Sequence, residues 1–364
     1  MNKMFFTSES VTVGHPDKIC DTIADTILDN ALKQDLNSHM AIEATIKDEL
    51  IFIYGEANTN ADLDYEKIAK QVLKDIGYTE EFNVITKVSK QSSEINTAVN
   101  NNEVSAGDQG IMFGYATNET KELMPLPIVL AHKLAKQLEL TRKNDKNSFL
   151  KPDGKSQVTV EYENNKVKRI DTIVISTQHS ENVDQSTLKS FIKENVIDKV
   201  VDKSLVDENT KYIINPSGSF IVGGSFGDSG TTGRKIVVDT YGGMGRIGGG
   251  CFSSKDPSKV DRSAAYYARY VAKNIVFNNL ADKIEIQLSY AIGMPKPLSI
   301  MIDTFNTNKV SEEEILKIIN ENFDFSVSNI INELDLKKPI YASTASYGHF
   351  GRDEFSWEKT KKII

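Results

Sequence analysis

The chain of 364 residues contains 39% hydrophobic and 26% charged residues, the composition of an ordinary folded protein with two or three domains. Its formal net charge of −8 excludes a surface that binds nucleic acid or anionic lipid through a general excess of positive charge, so any anion site must be a local pocket. The absence of a bilayer-length apolar run, of a secretory signal and of metal-ligand spacing around the two cysteines predicts a cytoplasmic protein without a zinc module.

The first predicted unit has the order helix, strand, strand, helix. An apolar stripe from Pro16 to about Gln34 predicts an amphipathic helix, with a proline in the first turn where proline is tolerated. Alternating runs at 41–46 and 50–54 predict two strands joined by a short turn. A second stripe over 63–76, followed by Gly77, predicts the closing helix.

The same order returns twice along the chain. The second round has a helix near 126–139, strands around 157–162 and 167–176, and a helix near 185–200; the third has a helix over 261–277, strands near 283–292 and 298–304, and a helix over 311–323. The three rounds share this order but no residue identity, so common α+β connectivity explains the pattern as well as a repeated domain does. Three domains are the more economical interpretation.

We therefore predict an α+β fold of three pseudo-repeated domains, each with a mostly antiparallel sheet packed against helices. Neighbouring strands joined by short turns favour antiparallel pairing over a doubly wound parallel sheet. The predicted boundaries are 1–104, 105–226 and 227–364, with linkers near 100–107 and 225–234.

The segment 227–262 carries the densest chemical signal. Six of the nine residues from Gly242 to Gly250 are glycine, and glycine lets backbone amides approach an anion closely. Six cations surround this run: Arg234, Lys235, Arg246, Lys255, Lys259 and Arg262. A flexible loop with solvated lysines is the alternative, but the gathering of cations in an acidic protein favours an anion-binding pocket.

Two phosphate-binding motifs are nearly present. The run 243–248 fits G-x-G-x-x-G after a predicted strand at 235–239, but the glycines that follow prevent the helix which a dinucleotide fold requires. Gly154-Lys155-Ser156 resembles the end of a P-loop, but Phe149 replaces its first glycine and a strand follows. Lys155 is left as either a phosphate-binding lysine or a turn lysine.

Two shorter clusters add candidates. His15 precedes a proline and is available to donate a hydrogen bond to an anion, and Asp17 lies in the first helical turn, where the helix dipole stabilises a carboxylate. Asp108 lies between the glycines of 106–110, where it either caps a turn or takes part in the chemistry.

Together the segments 6–21, 106–120, 176–180, 227–275 and 346–352 resemble the signatures of S-adenosylmethionine synthetases, and the similarity runs from about residue 5 to Lys359. The resemblance implies an enzyme that forms S-adenosyl-L-methionine from L-methionine and ATP by displacement at C5′ and hydrolyses the tripolyphosphate to phosphate and diphosphate. The alternatives are another Mg-ATP enzyme, such as a kinase, and a catalytically altered nucleotide-binding relative.

The resemblance also implies roles for individual residues. The ATP-binding set is His15, Asp153, Gly154, Lys155, Ser219, Phe220, Asp228, Arg234, Lys235, Cys251 and Lys255; within it His15, Lys155, Arg234 and Lys255 act in catalysis, together with Asp108. The methionine-binding set is Glu56, Gln91, Asp228 and Lys259. Asp17 and Asp261 are expected to bind two Mg²⁺ per site, and Glu43 one K⁺ per subunit.

The resemblance further implies a homodimer with shared active sites, assembled as a dimer of dimers. It assigns His15, Asp228, Arg234 and Lys235 to one subunit, and Asp153, Lys155, Phe220 and Lys255 to the other. The chain departs from the family pattern at Ser105, at Cys251 and in 96–104, a short version of the stretch that resembles the gate of the site. None of these departures removes a charged catalytic group.

Overall fold

The computed structural model describes residues 3–90, 104–145 and 148–363. Its strands are β1 Lys3–Val11, β2 His39–Lys47, β3 Leu50–Asn58, β4 Asn83–Ser89, β5 Gly110–Thr117, β6 Leu150–Glu163, β7 Lys166–His179, β8 Lys211–Ile214, β9 Gly230–Thr231, β10 Lys283–Tyr290 and β11 Ser299–Asp303. Its helices are α1 Pro16–Gln34, α2 Tyr65–Ile76, α3 Leu126–Asn144, α4 Gln185–Ile192, α5 Asp198–Val200, α6 Gly224–Gly227, α7 Ile236–Asp239, α8 Val260–Phe277, α9 Glu312–Asn322 and α10 Val327–Glu333.

The strands of the described residues form three sheets. Their strand orders are β1-β6-β7-β8, β11-β10-β5 and β4-β3-β2-β9. Neighbouring strands are antiparallel except for the β3–β4 and β7–β8 pairs, which are parallel. The predicted α+β class with mostly antiparallel sheets is therefore confirmed.

Each sheet combines strands that are distant in sequence. β1 pairs with β6, which puts Val11 opposite Lys155, while β5 joins β10 and β9 joins β2. All three sheets thus take strands from both sides of the predicted boundaries 1–104, 105–226 and 227–364. The sheets therefore do not coincide with the predicted domains, and the domain boundaries stay a prediction.

The helices largely follow the predicted bounds. α1 has the predicted bounds, and α2 ends at Gly77, whose φ of 113° lies in the region that glycine adopts readily. Ser311 caps α9 by accepting a hydrogen bond from the amide of Glu314 at 3.2 Å. The helix predicted at 185–200 is interrupted by a π-helical turn at Lys193–Ile197.

Two predictions beside the glycine-rich segment are wrong. The run at 235–239 forms the helical turn of α7 instead of a strand, with the amide of Asp239 donating to the carbonyl of Lys235 at 2.9 Å. The predicted linker at 225–234 is packed structure, because β9 lies within it and pairs with β2. Of the other predicted linker, 100–107, the first four residues lie outside the described part of the chain.

Two hydrophobic cores support the sheets. In one, α1, α2 and α8 bury their apolar stripes against the second and third sheets; in the other, α3 and α4 cover the first sheet. α8 is buried along almost its whole length, since it lies between β5, β10 and the C-terminal segment. No helix in the described ranges is long and apolar enough to cross a membrane.

Arg269 of α8 is a fully buried cation whose N–H donors are all satisfied. It makes two hydrogen bonds to Glu358, at 3.0 and 2.9 Å. It also donates to the carbonyls of Tyr115, Glu122 and Leu123, each at 2.8 Å. One guanidinium therefore joins β5, the segment before α3 and the C-terminal segment to α8.

Replacement of Arg269 by methionine should lower the free energy of unfolding by about 3–5 kcal/mol, because it removes one partner of a buried ion pair. Three backbone carbonyls also lose their donor. Urea denaturation followed by circular dichroism measures the change. The control is Lys70→Met, which breaks an exposed ion pair with Glu66 and should leave the midpoint unchanged. Equal, small effects of both replacements would contradict the structural role given to Arg269.

Candidate active site

Four aspartates lie four residues apart on one face of α1: Asp17, Asp21, Asp25 and Asp29. We call this row the aspartate ladder. All four side chains are buried, none more than 6% exposed. Buried carboxylates must be paired or hydrogen-bonded, and each of these four binds a different part of the chain.

The partners of the aspartate ladder come from the glycine-rich segment and the C-terminal segment. Asp17 accepts from the amide of Thr231 at 3.0 Å, Asp21 from the amide of Gly233 at 2.8 Å, and Asp25 from the hydroxyl of Ser253 at 2.9 Å and from Arg262 at 2.7 and 2.9 Å. Asp29 accepts from the amides of Tyr341 and Ala342 at 2.8 and 2.9 Å. α1 thus fixes the positions of the loops that carry most of the predicted site residues.

His15 is the N-cap of α1, and its surroundings define its protonation state. Burial and the charges of Lys235 and Lys155 lower the pKa of His15 to about 3, so the imidazole is neutral near pH 7. Its Nδ1 accepts a hydrogen bond from the amide of Asp17 at 3.2 Å. The proton therefore lies on Nε2, which leaves an N–H donor at the start of a helix, where anions bind favourably.

Two cations of the glycine-rich segment lie beside Asp17. Its carboxylate lies 2.5 Å from Nζ of Lys235 and 3.7 Å from Nε of Arg234. Burial alone would raise the pKa of Asp17, but Lys235 and the amide of Thr231 outweigh it and lower the pKa below the ordinary value. Asp17 is therefore an ionised carboxylate surrounded by positive charge.

Lys155 reaches the same place from β6. The amide of Thr12 donates to the carbonyl of Gly154 at 2.9 Å, and the charge of Lys155 acts on the pKa of His15. β1 and β6 of one chain are hydrogen-bonded partners, so Lys155 lies near His15 of its own chain. The assignment of Lys155 to the other subunit stays a prediction. His15, Asp17, Lys155, Arg234 and Lys235 form what we call the phosphate cluster.

Asp153, two residues before Lys155 on β6, lies near the phosphate cluster of its own chain, and its assignment to the other subunit stays a prediction. Its Oδ2 accepts from the amide of Gly224 at 2.8 Å, and burial raises its pKa to about 6. The charges of Lys155 and Asp228 act on that pKa as well. The other oxygen, Oδ1, is buried without a partner in the structure as described, so it can accept a hydrogen bond from a ligand.

Ser219 and Phe220 lie close to Asp153. Gln178 connects them, since its side chain accepts from the amide of Asp153 at 3.3 Å and donates to the carbonyl of Ile221 at 2.9 Å. The amide of Phe220 donates to Nε2 of His179 at 3.0 Å, which fixes the backbone beside the half-buried ring. Phe220 thus lies near Asp153 of its own chain, and its assignment to the other subunit stays a prediction.

A second group of predicted residues lies farther along α1, at the level of Asp25. Lys255 and Asp261 form an ion pair at 2.6 Å, and the hydroxyl of Ser254 donates to Glu43 at 3.0 Å. Burial raises the pKa of Glu43, and none of the ion pairs found within the described ranges includes it. Eight residues separate Asp25 from Asp17, so this lysine and carboxylate group lies about 12 Å along the helix from the phosphate cluster.

Of the remaining candidates, Glu56 and Lys259 lie near this second group. Backbone pairing places Lys255 and Glu56 on either side of Ala41 in the third sheet. Lys259 is ion-paired with the buried Asp256, and Asp108 is exposed and accepts from the amide of Gln109 at 2.7 Å. Asp228 is exposed directly after α6, and Gln91 lies outside the described residues.

Cys251 lies beside the loop that joins the two groups. Burial raises the pKa of its thiol to about 11, so the thiol is protonated near pH 7. A Cβ atom on Gly233, whose φ is 79°, would lie 2.6 Å from the sulfur, so only glycine fits opposite this side chain. The cysteine therefore acts as a packing group rather than as a nucleophile.

Sequence reasoning missed three aspartates of the ladder, Asp21, Asp25 and Asp29, and the cation Lys18. Lys18 is fully buried between Asp21, at 2.9 Å, and Asp239. Burial alone would lower the pKa of Lys18, but the two carboxylates outweigh it and raise the pKa. The signal that could have found this network is the four-residue spacing of aspartates within PDKICDTIADTILD.

Known proteins resemble this chain over its whole length. The models described as the N-terminal, central and C-terminal domains of S-adenosylmethionine synthetase match residues 3–103, 103–220 and 222–359. The S-adenosylmethionine synthase of Clostridium botulinum (strain Alaska E43 / Type E3) is 52% identical over 383 residues, covering 99% of this chain and 98% of the relative. That of Finegoldia magna is 51% identical over 384 residues, covering 100% and 98%. The chain therefore belongs to the S-adenosylmethionine synthetase family.

Proposed function

We propose that the phosphate cluster is the place where this chain binds the triphosphate of ATP and transfers its adenosyl group to L-methionine. As a member of its family, the chain is an enzyme, a transferase that forms S-adenosyl-L-methionine from ATP and L-methionine. The observation that carries the assignment to this site is the convergence of Lys155, Arg234 and Lys235 around His15 and Asp17 in an otherwise acidic protein.

The proposed reaction needs positioning and charge more than a base. The neutral methionine sulfur attacks C5′ of ATP, the S–C bond forms, the C–O bond breaks and the electron pair leaves with the triphosphate. Nε2–H of His15 and the ammonium of Lys155 donate to the leaving oxygen, while Arg234 and Lys235 hold the phosphates behind it. Preorganised donors of this kind stabilise charge that develops in the transition state. The triphosphate is then hydrolysed to phosphate and diphosphate.

The carboxylates of Asp17 and Asp261 fit magnesium. Each is ion-paired with a lysine, at 2.5 Å to Lys235 and 2.6 Å to Lys255, so each carboxylate holds a positive group already. Hard carboxylate oxygens suit Mg²⁺, which fills its other positions with phosphate oxygens and water. When bound, Mg²⁺ neutralises charge on the triphosphate. We assign two ions per site, one near each aspartate.

Glu43 fits a monovalent cation. Glu43 is a half-buried residue of β2, and its carboxylate accepts a hydrogen bond from the hydroxyl of Ser254. Burial raises the pKa of Glu43, so a cation at this carboxylate would offset the cost of burying its charge. We assign one K⁺ per subunit to this residue.

We assign the nucleoside of ATP and the methionine to residues of the two groups described above. Asp153, Gly154, Ser219, Phe220 and Cys251 surround the nucleoside, where the free Oδ1 of Asp153 suits a ribose hydroxyl. Glu56, Gln91 and Lys259 bind methionine, Asp108 faces the sulfonium as it forms, and Asp228 touches both substrates. Lys255 completes the phosphate site.

A homodimer can unite the two groups of residues. One face of the third sheet exposes apolar side chains, with Leu50 45%, Phe52 38% and Ile85 54% exposed. Glu43 and Glu56 lie on that same face, because alternate residues of paired strands share a face. Two copies packed through this face would place the phosphate cluster of one chain near Lys255 and Asp261 of the other.

We therefore propose a new division of the site residues between the two subunits, which we call the revised split, in place of the division that the family resemblance implied. One chain supplies the phosphate cluster with Asp153, Phe220 and Asp228, and its partner supplies Lys255, Lys259, Asp261, Glu56 and Asp108. We further propose that two such dimers associate and that the enzyme works in the cytoplasm, where its substrates are made. A kinase or a catalytically altered relative is not favoured, because every charged residue assigned to the site is present.

Asp17→Asn should abolish formation of S-adenosyl-L-methionine at limiting Mg²⁺, because the amide keeps the shape of the side chain but loses the charge that holds a metal ion. Mass spectrometry of the product over a series of Mg²⁺ concentrations measures the effect. Asp29→Asn is the matched control, since Asp29 is another buried member of the ladder whose partners are the backbone amides of 341–342. The control should keep its activity. Near-normal turnover of Asp17→Asn at limiting Mg²⁺ would refute the metal assignment.

Mixing two inactive variants tests the shared site. His15→Ala and Lys255→Ala, unfolded together and refolded at equal concentration, should form about half mixed dimers by random pairing, each with one intact site. About a quarter of wild-type activity should therefore return if the sites are independent. Mass spectrometry confirms that mixed dimers are present.

The control for this experiment uses two residues from the same group. His15→Ala mixed with Lys155→Met should recover no activity, because both residues belong to the phosphate cluster of one chain and every site keeps one lesion. Recovery in this control, or its absence in the His15 and Lys255 mixture despite mixed dimers, would overturn the revised split.

A further inference from the structure

Lys18 is a buried lysine to which the reaction described above gives no role. Its side chain is fully buried, and its ammonium lies 2.9 Å from Asp21 and in close contact with Asp239. Asp21 and Asp239 are themselves buried. This trio lies behind the phosphate cluster, on the protein side of α1.

The two carboxylates bound by Lys18 lie on either side of the phosphate-binding cations. Asp21 accepts a hydrogen bond at 2.8 Å from the amide of Gly233, the residue directly before Arg234 and Lys235. Asp239 ends α7, four residues after Lys235, and its amide donates to the carbonyl of Lys235 at 2.9 Å. Lys18 therefore connects both ends of the turn that carries the two cations to the first turn of α1.

The same helical turn holds Asp17, the neighbour of Lys18 in sequence. Asp17 forms an ion pair with Lys235 at 2.5 Å. The position of Lys235 is therefore set by this direct contact and by Asp21 and Asp239, the two carboxylates that Lys18 binds. Without the ammonium, two buried carboxylates would face each other unpaired, and their repulsion would move α7 away from α1. Buried ion pairs add little net stability compared with apolar side chains, so a role in fixing geometry accounts better for this lysine.

We propose that Lys18 is a positioning residue for the triphosphate site: by bridging Asp21 and Asp239 it fixes Arg234 and Lys235 at the distance from Asp17 that ATP and Mg²⁺ require. This proposal rests on the proposed function of the phosphate cluster. It predicts a specific kinetic signature, because Lys18 acts through Asp21 and Asp239 on the cations assigned to ATP, whereas Lys259, which is assigned to methionine, is paired with Asp256.

Lys18→Met keeps the length of the side chain and removes its charge. The KM for ATP and the Mg²⁺ concentration for half-maximal rate should each rise about 10- to 100-fold, the usual effect of losing a partner that orients a ligating group. The KM for methionine should change less than about twofold. Lys273→Met is the matched control: Lys273 is also a buried lysine, paired with Glu358 at 2.8 Å, and its loss should lower the melting temperature without changing any of the three constants.

A double variant separates positioning from stability. Lys18→Met combined with Asp239→Asn neutralises one of the two carboxylates left without their cation and removes their mutual repulsion, while Asp21 keeps the amide of Gly233 as a donor. The double variant should therefore recover part of the melting temperature, yet its KM for ATP should stay high because the bridge is still missing. Recovery of the ATP and Mg²⁺ constants in the double variant, or a methionine KM that rises as much as the ATP KM, would overturn the proposal. Failure of the wild-type protein to form product would instead refute the proposed function.

Discussion

The burial of four carboxylates on one face of α1 is the constraint on which the rest of the site depends. A buried carboxylate is tolerated only when donors or cations surround it, so the aspartate ladder determines which segments pack against the helix. Those segments are 231–235, 253–262 and 341–342. The first two carry Arg234, Lys235, Lys255 and Asp261. Fold and site are thus consequences of the same set of contacts.

Under the proposed function, this arrangement would let an acidic protein bind a polyanion. Asp17 holds Lys235 and Arg234 of the phosphate cluster, while His15 is kept neutral by burial and by Lys235 and Lys155. A neutral imidazole with its proton on Nε2 donates to phosphate without a charge of its own to desolvate. Incoming triphosphate and Mg²⁺ can then share the contacts that Asp17 and Lys235 make with each other.

Local pattern predicted local structure well and the assembly of the site poorly. The apolar stripe of α1 predicted its bounds, and Gly77 predicted the end of α2. The apolar run at 235–239 was read as a strand because it is too short for periodicity to separate strand from helix. The proximity of Lys155 to His15 depends on β1 pairing with β6, more than 140 residues away, which no local pattern encodes.

Analysis of the products that the purified protein forms tests the central claim most directly, because an S-adenosylmethionine synthetase and a kinase release different products from ATP. With ATP, L-methionine and Mg²⁺, the account predicts S-adenosyl-L-methionine together with equal amounts of phosphate and diphosphate, and no ADP. Chromatography with mass detection measures all four species in one sample. Release of ADP, or consumption of ATP without S-adenosyl-L-methionine, would contradict the account.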